Sequence, residues 1–256
     1  GWFGKWPMFV AIIWMYIGGT SFLSHYSLIS GRVRKFFRNP ELRYMFAIFV
    51  VCSAIIGLDL YLSHKAVYYH GVFYVLSAMT GTGAGTPFAV SDFPPASIII
   101  LTLLMISGPA YGSTGGAVKL WRSIIVISVI RREIKKPFMH PNAVMPIKMG
   151  NNLIDEETAS KVASFVLVYI FLILLGGIVF MFFNYGLVDS IFTVASAQGN
   201  VGLSTISGDI WFGMPYILKM LLVIHMLIGR VEIFPFFVLL KALAGREDLK
   251  VLGGRE

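Results

Sequence analysis

The chain has 256 residues, of which 57% are hydrophobic and only 13% are charged. Because a soluble domain carries about 25% charged residues, this composition excludes an ordinary soluble protein and indicates a membrane protein. The net charge of +8 is concentrated at the ends of apolar segments, where the positive-inside rule expects cytoplasmic loops, so nucleic-acid binding is not expected; the single cysteine, Cys52, excludes a disulfide within the chain.

Five apolar segments are long enough to cross a bilayer, which requires about 20 residues. In chain order they cover residues 6–31, 44–62, 96–130, 162–188 and 215–243. The third segment is interrupted by a glycine-rich stretch at 108–119, in which Pro109 and four glycines predict a break in the helix.

Two further apolar segments, His70–Met79 and Ser190–Gln198, are too short to cross. Each would form a helix of about 15 Å, roughly half of the bilayer core. Each ends in a glycine-bearing stretch and precedes another full span, which predicts a re-entrant loop. Irregular backbone at that depth is tolerated only where protein buries it or where it lines a water-filled path.

The two loops repeat one pattern, because FYVLSAMTGTGAGT at 73–86 returns as FTVASAQGNVGLST at 192–205. The predicted fold class is an all-α membrane protein of helix–re-entrant loop–helix units, with two full repeats and the last helix of a third. Both loops are expected to open to the outside, with the basic linkers inside. The predicted parts are the final helix of a truncated repeat (1–31), a cytoplasmic linker (32–43), a pore repeat with a broken second helix (44–130), a second cytoplasmic linker (131–160), a second pore repeat (161–244) and a cytoplasmic tail (245–256).

Aligned without gaps, the loops place glycine at one shared position, Gly83 and Gly202, where positive φ is accessible. Such backbone can point successive carbonyl groups toward an axis and replace the hydration shell of a cation. The loops contain no carboxylate, which favours a monovalent over a divalent cation. The alternative is an ordinary glycine-rich turn. The predicted filter residues are Thr80, Gly81, Thr82, Gly83, Gly199, Asn200, Val201 and Gly202, with K⁺ at the carbonyls of Gly81, Thr82, Asn200 and Val201.

Arg230 lies about fifteen residues into the last span, near mid-bilayer, where an arginine normally faces a partner or a watery cavity. The break in the third span falls at a similar depth. Together they predict a gate below the filter; the alternatives are a salt bridge to another span and a static kink. The predicted gate residues are Gly108, Gly112, Ser113, Thr114, Gly115, Gly116 and Arg230.

Smaller features carry weaker expectations. The segment 144–154 predicts a hairpin that turns at Gly150–Asn151, and Asp155 is a candidate N-cap for the fourth span. His225 is expected to be packed and hydrogen-bonded, with a role in the pore as the alternative. No cluster of His, Cys and carboxylates, and no nucleophile–base pair, suggests a metal site or an enzyme.

Four stretches resemble the Trk/Ktr/HKT superfamily of potassium transporters, most closely the C-terminal part of the prokaryotic Trk-type membrane subunit. They are Ile17–Phe22 followed by His25–Tyr26, the GSTGG break at 112–116 with Lys119, the filter loop from Ser196 to Leu203, and IGRVEIF at 228–234. The resemblance implies four repeats around one pore in a multi-pass protein of the cell (inner) membrane. It also implies K⁺ as the transported ion, a homodimer in the lipid bilayer, and a cytosolic nucleotide-binding regulatory subunit on the inner face.

The chain departs from that pattern in two ways. It holds two full repeats, so two of the four filter strands are expected to lie upstream, and Ala84 stands where the family more often has an aromatic residue. The predicted function is transmembrane potassium transport through a carbonyl-lined filter, gated by an intramembrane loop and an arginine. The alternative is a non-transporting scaffold or regulatory subunit that retains the pore-loop fold.

Overall fold

The structure, a computed structural model, describes residues 5–64, 68–140, 146–149, 152–231 and 238. This part of the chain is mostly helical, with short 3₁₀ turns at Val90–Asp92 and Lys136–Phe138. The helices are α1 Lys5–Gly19, α2 Phe22–Ile29, α3 Val33–Arg38, α4 Pro40–Leu62, α5 Tyr68–Thr80, α6 Pro95–Ser107, α7 Leu120–Lys135, α8 Glu156–Phe182, α9 Leu187–Gln198, α10 Gly208–Gly213 and α11 Tyr216–Val231. Strands β1 Ile147–Met149 and β2 Asn152–Ile154 lie between α7 and α8.

The two long helices α4 and α8 begin at polar caps that precede their apolar spans. Asn39 accepts a hydrogen bond from the amide of Glu41, and Pro40 occupies the first turn of α4. Asp155 accepts from the amide of Thr158 at 2.9 Å, which confirms the predicted cap and lowers the pKa of the Asp155 carboxyl below its usual range. By length and composition α4 and α8 could each cross a membrane, and the α1–α2 pair could form a third, broken span.

Both predicted half-helices are present, and both are enclosed by other helices. Helix α5 packs against α1, α4 and α6, whereas α9 packs against α6, α8 and α11. Residues 73–80 and 192–198 are buried throughout, although neither helix is long enough to cross a bilayer. The two half-helices therefore form the centre of the molecule, and each ends at one of the repeated loops.

The first predicted span is wrong as a single helix. Its two halves, α1 and α2, meet at an angle of 101° around Thr20 and Ser21. The corner is stable because its polar groups are paired: the Thr20 hydroxyl donates to the Ile17 carbonyl, and His25 Nε2 lies 2.6 Å from Thr20 Oγ1. Sequence reasoning treated this segment as continuous because no charged residue interrupts it.

The break in the third span is confirmed, with α6 ending at Gly108 (φ +67°) and α7 starting at Leu120. The predicted hairpin is also present, with Ile147 opposite Ile154, although its turn at 150–151 lies outside the described residues. Helix α11 is described to Val231. The predicted remainder of the last span, Glu232 and the tail at 245–256 lie outside the described residues.

Candidate ion filter and gate

The two loops that follow α5 and α9 are built on the same hydrogen bonds. The amide of Thr82 donates to the carbonyl of Ser77 at 3.1 Å, and the amide of Val201 donates to the carbonyl of Ser196 at 2.9 Å. These positions are equivalent in the ungapped alignment of the loops. The serine side chains also bind their own loops, since Ser77 Oγ donates to Ala84 O and Ser196 Oγ accepts from the amide of Gly202.

Positive φ angles occur at two equivalent positions in each loop. Gly83 (+68°) and Gly202 (+96°) take the conformation that the sequence predicts. The second pair is Gly81 (+69°) and Asn200 (+54°). Asparagine is one of the few non-glycine residues that tolerates this region, because its short polar side chain can bond locally. Each loop therefore has left-handed backbone at two positions separated by one residue, a pattern that allows successive carbonyl groups to point the same way.

The loops touch each other closely. A methyl group on Gly83 would overlap the carbonyl oxygen of Val201, so only glycine fits at that point. The Asn200 side chain donates to the carbonyl of Met226 at 3.2 Å and thereby ties the second loop to α11. The Val201 carbonyl, one of the predicted ligands, thus lies against the first loop.

One open cavity of about 450 Å³ brings the predicted parts together. Its lining includes Thr80–Thr82 from the first loop, Asn200 from the second, Thr114–Gly115 from the break, and Arg230 from α11. We call this space the filter cavity. Gly83, Gly199, Val201 and Gly202 are not among the residues that line it.

The break lies directly against the carboxyl ends of both half-helices. A methyl group on Gly115 would lie 3.0 Å from the carbonyl oxygen of Thr80, and one on Gly116 would lie 2.7 Å from that of Gly199. Because the carboxyl end of a helix carries partial negative charge, these two ends place partial negative charge beside the filter cavity, which Arg230 also lines.

A second cavity, the inner cavity, lies on the other side of the break. It has a volume of about 420 Å³, and its lining includes Gly112, Ser113, Gly116 and Lys119. Thr114, Gly115 and Arg230 line both cavities. Arg230 Nη1 donates to the carbonyl of Thr114 at 2.8 Å, so the arginine is joined to the segment that separates the two spaces.

A buried polar network supports the second loop from behind. Gln198 Nε2 donates to the carbonyl of Tyr169 at 3.0 Å, and Gln198 Oε1 lies 2.8 Å from His225 Nδ1. The amide of Gln198 donates with its nitrogen, so its oxygen accepts and His225 carries the proton on Nδ1. His225 is buried beside Gly176, whose missing side chain makes room for the ring. The packed, hydrogen-bonded interpretation of His225 is confirmed.

Two further side chains contact the break: Glu41, which sequence reasoning missed, and Lys119, which it named with the break but gave no role. Glu41 is buried at the start of α4 and accepts from the amide of Tyr111 at 2.6 Å. Lys119 Nζ donates to the carbonyl of Gly115 and lies 3.3 Å from that of Ser113. Glu41 gave no signal because an acidic residue in a first helical turn is common, and its partner is distant in sequence.

The family model described as a cation transport protein, TrkH, matches residues 46–247. This chain belongs to the TrkH family. The Trk system potassium uptake protein TrkH of Escherichia coli K12 is 27% identical over 93% of this chain. The protein of the same name from Halomonas elongata is 30% identical over 81% of it. The chain spans about half the length of these relatives, 50% and 44% respectively.

The crystal structure of the potassium transporter TrkH from Vibrio parahaemolyticus has the same fold, with a TM-score of 0.80. The two chains are 24% identical over 91% of this chain and 51% of that one. Family and fold together establish an all-α, multi-pass protein of the cell (inner) membrane, for which the lipid bilayer is the solvent. Because the protein lies in the membrane, the exposed apolar faces of the long helices α4 and α8 are surfaces that contact lipid.

Proposed function

We propose that the complete protein carries potassium across the membrane, with this chain supplying half of the filter and the gate. The observation that carries the proposal is the filter cavity, where Thr80–Thr82, Asn200, Thr114–Gly115 and Arg230 surround one space. The carbonyl groups of Gly81, Thr82 and Asn200, which line this space, replace water around the ion, together with the carbonyl of Val201, which lies against the first loop beside it. The names of the curated relatives, which are potassium uptake proteins, support the same cargo.

The electrostatics of the loops favour an alkali cation. Helices α5 and α9 direct their negative ends at the filter cavity, and the loops carry no carboxylate that a divalent ion would prefer. Partial charges from two helix ends and neutral carbonyl groups hold an ion loosely enough for it to leave again, which conduction requires.

The break and Arg230 form the gate. The segment between the filter cavity and the inner cavity contains the predicted gate residues Gly108, Gly112, Ser113, Thr114, Gly115 and Gly116. The guanidinium of Arg230 adds a positive charge on the ion path, where it opposes the passage of a cation. The break narrows the ion path, and the positive charge of Arg230 raises the electrostatic barrier to a cation.

The organisation of the complete protein follows from the same proposal. The parts at 1–31, 44–130 and 161–244 belong to pore repeats, with cytoplasmic linkers at 32–43 and 131–160. Two further filter strands complete the ring around the filter cavity, which is open on the side of Trp14 (67% exposed). A homodimer and a cytosolic nucleotide-binding regulatory subunit complete the assembly; the word "system" in the relatives' names supports a multi-component transporter.

The test is Arg230→Ala in the complete protein, reconstituted in liposomes and assayed for K⁺ flux. Removing a charge from the path should raise basal flux about tenfold, equivalent to a barrier lower by about 1.4 kcal/mol. Arg230→Lys, which keeps the charge, should stay close to the wild type. Arg131→Ala, an exposed arginine on α7, is the matched control.

Two results would contradict the proposal in different ways. A wild-type protein that shows no K⁺ flux would favour the scaffold alternative and remove the transport function. Wild-type flux that Arg230→Ala leaves unchanged would keep transport but exclude Arg230 from the gate.

A further inference from the structure

The ends of the break are fixed by main-chain hydrogen bonds. The amide of Ala110 donates to Gly19 O, and the carbonyl of Gly112 accepts from the amide of Phe22, each at 3.1 Å. At the other end, the amides of Val118 and Leu120 donate to Ile106 O and Pro109 O. These bonds satisfy the backbone on both sides of the break, as irregular chain at membrane depth requires.

The centre of the break is held differently, by cationic side chains. Three successive carbonyl groups, those of Ser113, Thr114 and Gly115, accept hydrogen bonds from Lys119 and Arg230. Lys119 reaches back from the start of α7 and joins the first and third of these carbonyls. Its own backbone has φ +73°, a conformation that glycine would adopt without strain, yet the position carries a long cationic side chain.

Glu41 approaches the same segment from α4. Its side chain is buried, with 7% of the residue exposed, and it accepts from the amide of Tyr111 at 2.6 Å. Glu41 therefore holds the first half of the break by its bond to Tyr111, and among the charged groups that influence its carboxylate is Lys119, the cation that holds the centre of the break.

We infer that Lys119 and Glu41 form a latch that holds the break in its closed position, with Lys119 binding the central carbonyls and Glu41 balancing the charge of Lys119. The inference rests on the proposed function, because it concerns the gate of the same pore. Both are positioning residues, since they contact the break and not the ion. Lys119 must release two carbonyl groups before the centre of the break can move. Glu41 neutralises the charge of Lys119, so that this charge does not add to that of Arg230 near the ion path.

The experiment measures basal K⁺ flux in liposomes for Lys119→Met, Glu41→Gln and the double variant of the complete protein. Lys119→Met keeps the aliphatic stem but removes the donor, so the closed position is weakened and flux should rise about tenfold. Glu41→Gln keeps an oxygen acceptor for Tyr111 but exposes the path to the charge of Lys119, so flux should fall about fivefold. In the double variant the charge of Lys119 is absent and Glu41 has no charge to balance, so flux should return to the Lys119→Met level.

This dependence separates a latch from a merely structural role. Glu41→Gln should change flux in the wild-type background and leave it unchanged in the Lys119→Met background, a coupling of about fivefold. Lys119→Arg, which keeps the charge and the donors, should retain low basal flux even if another variant does not accumulate. The exposed pair Glu133 on α7 and Lys136 just after it, whose charged atoms are 3.9 Å apart, takes the same substitutions as the control and should show no change.

The inference is overturned if the two effects simply multiply, if Lys119→Met leaves basal flux unchanged, or if Lys119→Arg and Lys119→Met behave alike. Wild-type flux in the same liposomes tests the proposed function separately. A wild-type protein without flux contradicts both, whereas a transporting wild type with variants that match the control pair contradicts the latch alone.

Discussion

At the scale of single residues, the two loops use glycine for different reasons at equivalent positions. Gly83 has a positive φ and also lies against the Val201 carbonyl, whereas Gly202 has a positive φ of +96° but open space where a methyl group would project. Gly83 is therefore required for both conformation and space, and Gly202 for conformation alone. Substitution by alanine should separate the two requirements.

Gly83→Ala should abolish discrimination between K⁺ and Na⁺, because a methyl group that overlaps the Val201 carbonyl must displace one of the two loops. Gly202→Ala should have a milder effect, since left-handed backbone costs alanine about 1–2 kcal/mol and nothing obstructs the methyl group. The measurement is the flux of both ions into liposomes.

The matched control is Gly57→Ala, in the interior of α4 with open space around it. It should leave ion flux unchanged and stabilise the helix by about 0.5–1 kcal/mol. Equal effects of Gly83→Ala and Gly57→Ala on selectivity would refute the role of the close approach between the loops.

The residues of the loops show where sequence reasoning succeeds and where it stops. Positive φ at Gly83 and Gly202 was predictable, because both copies of the pattern share glycine there. The pair Gly81 and Asn200 was not, since two different residue types satisfy the same backbone requirement. Glu41 was also not predictable, because its contact with Tyr111 depends on how two distant helices meet.

At the scale of helices, the two half-helices are held in different ways. Helix α5 carries Met79, a buried apolar residue within the main core cluster, in its last turn. Helix α9 carries Gln198 at the equivalent position, where it bonds to Tyr169 on α8 and to His225 on α11. The second half-helix is thus fixed to both of its neighbours by directional bonds in addition to apolar packing.

Gln198→Met, which gives the second loop the residue of the first, should destabilise the protein by about 1–3 kcal/mol because buried polar groups of Tyr169 and His225 lose their partner. A thermal melt of the purified protein in detergent measures this. Adding His225→Leu should recover part of the loss, since one of the unpaired groups is then removed. A melting temperature that does not change in Gln198→Met would show that the network contributes no stability.

At the scale of the whole molecule, charge and apolar surface specify an orientation. Basic residues are concentrated within the segments at 32–43 and 131–160, whereas the loops that follow the half-helices contain no basic residue. The positive-inside rule therefore predicts that α10, which follows the second loop, lies outside and that the end of α7 lies inside.

This orientation can be tested with single cysteines introduced into the complete protein after Cys52 and any cysteine outside this chain have been replaced by alanine. A cysteine at Asp209 in α10 should react with a membrane-impermeant maleimide in intact cells. One at Lys136, after α7, should react only after the membrane is permeabilised. Both positions are exposed, so accessibility of the side chain does not differ between them. The reverse labelling pattern would invert the proposed topology.

Much of the architecture was accessible from the sequence because lipid imposes simple rules on length and polarity. The half-helices and the break between α6 and α7 follow from segment length and from Pro109 with its glycines. The 101° corner between α1 and α2 does not follow from the sequence, because no charged residue or proline marks it. The corner is held by hydrogen bonds to the break, which is distant in sequence. Short polar residues such as Thr20 and Ser21 fit both a straight span and a corner.

That corner and the break are joined by two main-chain bonds, Ala110 N to Gly19 O and Phe22 N to Gly112 O. Because the bonded atoms belong to the backbone, exchange of side chains leaves this link intact, and proline at 110 or 22 is the replacement that deletes a donor. Any displacement of the segment around Gly112 must either break both bonds or carry the preceding unit with it. The mechanical link between the α1–α2 corner and the break therefore depends on peptide groups, and substitution of the surrounding side chains can leave it in place.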